Sequence, residues 1–241
     1  IAYADLGKHK EAIEPYKQAI EINPNKTLAH NALGNAYYNT GKYKDAIESY
    51  EQAMRNDTTG DYIIGSTIGT NLSRARSAEE IEKYKEEVRR NPNDALAHNN
   101  LGSAYYNLGN WQDKPFSRHD SCYNYNFGKH QEAIELYKQA QIKSYRQAIE
   151  SYELAIEIDP DNADYHNKLG LTYAMLGKHE EAIKSYKLAI EIDPDDVGVH
   201  HSLGIAYLMI GDKSAALDQY KILKKLNPMS ANMLFKLIYS E

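Results

Sequence analysis

Cysteine is nearly absent: Cys122 stands alone in 241 residues. That excludes an internal disulfide, and with it a thiolate zinc site, which needs several cysteines. A basic excess is also missing, since 28 Lys and Arg face 34 Asp and Glu for a net charge of −6. Proteins that neutralise phosphates carry a basic stripe, so nucleic acid is not an expected partner. Long apolar runs are missing too. The longest, residues 203–210, holds eight residues, against the roughly 20 that a bilayer-spanning helix requires, and membrane insertion is not expected. One cysteine and no signal-like start suit a cytoplasmic location. The chain opens at Ile1 rather than Met, which reads as a processed or excised piece. With 42% hydrophobic residues it can bury a core, and disorder is set aside.

What is present is a period. Pro24, Pro92, Pro160, Pro194 and Pro228 are separated by 68, 68, 34 and 34 residues. Gly34, Gly102, Gly170 and Gly204 keep the same phase, as do Gly7, Gly41, Gly109, Gly177 and Gly211. Ala46, Ala148, Ala182 and Ala216 share it, and so do Tyr16, Tyr50, Tyr84, Tyr152, Tyr186 and Tyr220. A fixed period of this size marks stacked supersecondary units.

In residues 27–60, His30, Leu33, Gly34 and Tyr37 lie on one face of a first helix. Gly41 suits a left-handed stop. Ala46, Ile47, Tyr50, Ala53 and Met54 then give a second helix, which a following Asn-Pro or Asp-Pro ends in most units. Each unit is therefore a helical hairpin that cannot bury its apolar face alone, so neighbours must stack into a solenoid.

Ala29-His30-Asn31-Ala32-Leu33-Gly34-Asn35-Ala36-Tyr37, followed by Gly41, Ala46, Tyr50 and Ala53, resembles the tetratricopeptide repeat. The resemblance implies an all-α, right-handed α-α superhelical solenoid over 1–241. Residues 1–26 form a partial unit, with full units 27–60, 61–94, 95–128, 129–162, 163–196 and 197–230, and a closing helix at 231–241. Three stretches break the pattern. Gly65, Ser66 and Gly69 predict a loose helix at 61–78. In 110–127 the second helix gives way to a run containing Trp111 and Pro115, with Asp113 as a candidate N-cap. Residues 128–140 match 7–19 at 11 of 13 places, so a second-helix sequence occupies a first-helix slot. Two arrangements compete: 110–127 loops out and two second-type helices follow, or strict alternation continues with 129–142 as a first helix. Alternation is favoured because it restores the period.

No catalytic, metal or cofactor site is expected. Gly65-Ser66-Thr67-Ile68-Gly69-Thr70 lacks the Lys and spacing of a phosphate loop. His30, His98, His166 and His200 repeat one or two units apart, too far to converge on a metal, and read as packing residues. Cys122 and His119 have no orienting third group.

Function is then expected on a surface. The first-helix face beside the buried stripe presents Asn31, Asn35, Tyr38 and Asn39, then Asn99, Ser103, Tyr106 and Asn107. Farther along it presents Asn167, Leu171 and Met175, then His201, Ile205 and Met209. By resemblance this face lines a concave peptide groove, amide-rich and aromatic in one half and apolar in the other. The expected partner is a protein or peptide, extended or helical and largely uncharged, bound by a non-enzymatic scaffold or adaptor. The carboxylate clamp of chaperone-tail receptors in this family is not matched: Asn35 fits, but Asn31, Ser66, Leu96 and Asn100 replace its other members. Alternatives are a self-assembling scaffold, a homo-oligomer joined through exposed ends, and the regulatory repeat arm of a larger enzyme such as a glycosyltransferase.

Overall fold

The computed structural model describes residues 8–58, 62–112 and 127–239, and their side chains except those at 63, 111, 112, 127–134, 136 and 137. Among the described residues there are eleven helices and no strand, so the chain is all-α. They are α1 (His9–Ile22), α2 (Thr27–Asn39), α3 (Tyr43–Arg55), α4 (Tyr62–Arg90), α5 (Ala95–Gln112) and α6 (Phe127–Ile158). Then come α7 (Ala163–Met175), α8 (His179–Ile192), α9 (Val197–Met209), α10 (Lys213–Leu226) and α11 (Pro228–Tyr239). The chain divides into two compact units, Ile1–Lys83 and Tyr84–Glu241.

Three hairpins turn on a glycine. Gly41, Gly177 and Gly211 take φ of 76°, 72° and 81°, which an L side chain resists. Just beyond each, a backbone N–H reaches five residues back: Lys42 to the Tyr37 carbonyl, Lys178 to that of Tyr173 and Asp212 to that of Tyr207, each at 2.9 Å. These bonds close the helix end and satisfy carbonyls otherwise left without a donor.

The hairpins expected within 61–94 and 129–162 do not form. At the turn places 75 and 143 the chain carries Ala75 and Lys143, neither of which stops a helix. Accordingly α4 runs unbroken through Ala75, itself fully buried, and α6 runs through Lys143. Strict alternation is also corrected. Tyr152 packs on Gly102 and Tyr145 on Gly109, so residues 143–158 are the second helix facing α5. In regular units the tyrosine follows its glycine by 16 residues, as Tyr50 follows Gly34 and Tyr186 follows Gly170; Tyr152 follows Gly102 by 50. One extra period lies between them. Residues 127–142 prolong the same helix instead of forming a separate one. Asp113, Pro115, His119 and Cys122 lie outside the described residues.

The recurrent core contact is a tyrosine ring seated on a glycine of the facing helix. Tyr50, Tyr145, Tyr152 and Tyr186 are each only 1% exposed. A Cβ added at Gly34, Gly102, Gly109 or Gly170 would stand 2.5–2.7 Å from a ring carbon. The hydroxyls then donate to the facing helix: Tyr50 to Asn35 Oδ1 at 2.8 Å, Tyr145 to Asn110 Oδ1 at 2.8 Å, and Tyr152 to Ser103 Oγ at 3.2 Å. Each acceptor directly follows its glycine in sequence. Tyr186 is the exception, because Leu171 follows Gly170, and its hydroxyl pairs with Ser202 instead. Burial pushes the phenols of Tyr50, Tyr152 and Tyr186 far above their ordinary range, so all three remain neutral donors. Fully buried Ala46, Ala148, Ala182 and Ala216 let the backbones approach.

Gly170→Ala is expected to destabilise the fold by about 1–3 kcal/mol, because the new methyl collides with a ring that has no room to retreat. Gly69→Ala, where a Cβ meets nothing within 4 Å, is expected to stabilise α4 by about 0.5–1 kcal/mol. Urea unfolding midpoints of the two variants should move in opposite directions.

Candidate functional site

The face beside the tyrosine seats is the candidate interaction surface, taken here unit by unit. In the first unit the carbonyl oxygens of two α2 amides are engaged internally. Asn35 Oδ1 accepts from Tyr50, and Asn31 Oδ1 accepts from Asn71 Nδ2 on α4 at 3.3 Å. Asn39 turns its own amide back to the Asn35 backbone carbonyl at 2.8 Å. Tyr38 is half-buried; its ring lies 5.6 Å from that of Tyr43 and 5.4 Å from the Arg74 guanidinium on α4.

In the second unit the row is drawn further inward. Asn99 is only 4% exposed, and its Oδ1 accepts from Lys168 Nζ at 3.2 Å, while the same ammonium pairs with Asp164 at 2.8 Å. Asn99 therefore ties α5 to α7 and does not stand on the open face, contrary to its expected place there. Ser103 accepts from Tyr152 and donates to the Asn99 carbonyl at 3.0 Å. Tyr106 lies against Tyr145 with centroids 5.7 Å apart. Asn167 and His201 are half-buried, and Asn167 Oδ1 and His201 Nε2 are buried without a hydrogen-bond partner. Leu171 and Ile205 pack against the cores of α8–α9 and α10–α11 respectively.

Repeat position thus grades the face. The equivalent residues Asn31, Asn99, Asn167 and His201 form an inner row, partly or fully covered. The places eight residues later, Asn39, Asn107, Met175 and Met209, are open in every case, with Met175 at 43% and Met209 at 61%. The outer row is polar in the first two helices and apolar in the last two.

The repeated histidines have a structural occupation. Nε2 of His30, His98, His166 and His200 lies 2.8–2.9 Å from the carbonyl of Pro24, Pro92, Pro160 and Pro194. A carbonyl only accepts, so each ring donates from Nε2 and closes the turn between hairpins. Among the described residues no three His, Cys, Asp or Glu side chains gather as a metal would require, and no helix is long and apolar enough to cross a membrane.

Sequence reasoning missed Arg74. In a regular unit it would stand one residue before the turn glycine, whereas the unbroken α4 carries it onto the α2 face. The missing glycine at 75 was the available signal.

Burial lowers the His201 pKa below its ordinary 6.5. The native state therefore holds the ring neutral, while the unfolded chain takes up a proton more readily. Its contribution to stability is fully present above pH 6.5 and falls away as the pH drops below it. From pH 7 to pH 5 the wild type should lose stability more steeply than His201→Gln, as read from urea midpoints at each pH.

Family profiles match along much of the chain. The profile described as TPR repeat matches residues 2–41, 141–177 and 173–211. Two profiles described as tetratricopeptide repeat match 27–59 and 74–113. Together the matches cover 2–59, 74–113 and 141–211. Among solved structures, a crystal structure of MamA is 23% identical, covering 96% of this chain and 95% of that one, with a TM-score of 0.41. TTC0263, a thermophilic TPR protein of Thermus thermophilus, is 22% identical over 88% of this chain and 98% of its own, with a TM-score of 0.49. A search of curated proteins finds no match. With repeat matches over most of its length and with turn glycines and the Tyr50, Tyr152 and Tyr186 rings recurring in one 34-residue phase, the chain belongs to the tetratricopeptide repeat family.

Proposed function

We propose that the protein is a non-enzymatic interaction scaffold that holds a segment of a partner protein on the first-helix face of its repeats. The graded exposure carries this reading. Positions 39, 107, 175 and 209 stay open on four separate helices, although the same helices bury their Leu33-type and Ala36-type neighbours. Open side chains on the first helices of packed hairpins are what recognition of an extended or helical segment uses. The amide and aromatic groups of Asn35, Tyr38 and Asn39 suit the backbone of such a segment, and Met175 with Met209 suits its apolar side chains. The partner is accordingly a largely uncharged stretch of protein. A peptide array probed with wild type and with Asn35→Ala plus Tyr38→Ala tests the site. The double variant should lose most of the peptides captured by the first unit, at an expected cost of about 1–3 kcal/mol. Equal capture by both proteins would refute the assignment.

A second reading, self-association, is favoured by α11. Met229 and Met233 are 76% and 56% exposed there. Met233 stands where Ala29, Ala97, Tyr165 and Val199 are buried in the preceding repeats. A second copy covering this face would make the sedimentation coefficient rise with concentration in the wild type and stay constant in Met233→Lys. A wild type that sediments as a monomer throughout would remove this reading.

A further inference from the structure

We propose that a second copy of this chain docks on the outer face of α6, α8 and α10, about a two-fold axis that runs along α8. This surface is separate from the first-helix face and from α11. The three second helices bury the same side: Ala148, Ala182 and Ala216 are 0% exposed, and so are Ala155, Ala189 and Leu223 seven residues later. Their outer sides are therefore equivalent too. Glu153 accepts from the Tyr173 hydroxyl at 3.0 Å, and Lys187, at the same place one unit on, lies 5.8 Å from the Tyr207 ring centroid.

The outer side carries apolar groups where a helix facing water carries polar ones. Leu154, Leu188 and Ile222 recur at 34-residue spacing and are 44%, 46% and 38% exposed, while Ile158 and Ile192, one turn later, are each 38% exposed. In α3 the corresponding places hold Gln52 and Asn56. An exposed apolar strip shared by three packed helices marks an interaction surface.

Charge selects the occupant. Beside the strip α6 presents Glu153 and Glu157, α8 presents Lys187 and Glu191, and α10 presents Lys221 and Lys225, all exposed. The sign therefore reverses from one edge to the other. A partner helix of uniform charge would be repelled at one edge, whereas a second copy turned about α8 sets α6 of each chain against α10 of the other. Rotation about the helix direction keeps each residue at its own height. Glu157 then faces Lys225 of the second copy, Leu154 faces Ile222, and Leu188 meets its own counterpart on the axis. Isologous contacts demand this self-complementarity. One turn earlier Glu150 would face Asp218, so the contact is confined to the last two turns of the helices.

Sedimentation velocity of the full chain across concentration is the test. The wild type should rise to the dimer value, and Leu188→Lys, which sets two ammonium groups together on the axis, should stay monomeric. Lys221 is partly committed to Asp218 at 2.7 Å, so Glu157 and Lys225 are the edges to reverse. Glu157→Lys and Lys225→Glu should each dimerise about tenfold more weakly, because either change places like charges at both edges. Mixed in equal amounts, the two variants should recover the wild-type affinity, since every edge again joins a Lys to a Glu. A variant that had merely misfolded could not give that recovery. A wild type that stays monomeric to millimolar concentration would overturn the proposal, and so would a dimer that survives Leu188→Lys or a mixture that associates no better than its components. Met233→Lys should leave the dimer in place; loss of the dimer there would move the contact to α11 and overturn the proposal as well. The first-helix scaffold reading stands or falls separately, on the peptide array.

Discussion

Most of the regular packing in this molecule follows from a ring lying where a side chain is absent, with Leu234 taking that place over Gly204. A tyrosine from one helix takes the space over a glycine of the next, and a methyl at that glycine would come within 2.5–2.7 Å of the ring. The contact sets the distance between the helices, and the phenol then sets their axial register by donating to the facing helix. Since the ring must enter from one direction, it also decides which side of each first helix is covered and which side stays open. The open first-helix face is therefore a by-product of core packing, and its residues are free to vary in chemistry. That freedom shows in the outer row, which changes from asparagine to methionine along the chain without moving.

The period, the hairpin and the tyrosine seats were legible because each rests on residues that recur every 34 positions. Reasoning failed where a helical apolar pattern persisted but the punctuation was missing. Ile68, Leu72 and Ala75 keep a buried stripe in the stretch where Gly65, Ser66 and Gly69 had pointed to a loose first helix. Whether the chain turns afterwards depends on one residue able to adopt positive φ, and Ala75 and Lys143 cannot supply it cheaply. The lesson is local: apolar spacing reports what is buried, and glycine at one place reports where the chain reverses.

The candidate site was legible to a similar depth. Helical geometry gave the exposed and covered sides of each first helix but not the fate of each polar atom. Asn99 was expected on the open face, yet it is buried and its Oδ1 is bridged to the Lys168 ammonium; a cation on a neighbouring helix is invisible to a one-helix projection. Arg74 shows the converse, a residue outside the expected face that a fused helix carries onto it. The histidines, suggestive as a series, are explained by the proline that ends each preceding helix. Its carbonyl needs a donor at the turn, and an imidazole six residues on supplies one.

The pairing of Gly102 with Tyr152 has an implication for how such a chain tolerates length change. Residues 110–143 span 34 positions, one full period, and the Gly102–Tyr152 seat across them is the one a regular unit would make. Excising them would join Gly109 to Ser144-Tyr145, the same Gly-x-Tyr order as Gly41-Lys42-Tyr43. Gly109, now an ordinary helical residue beneath a ring, would stand at the point of reversal. Packing of this kind is indifferent to gaining or losing whole periods of sequence and intolerant of fractions, and the added period carries Lys143 where its turn glycine would stand.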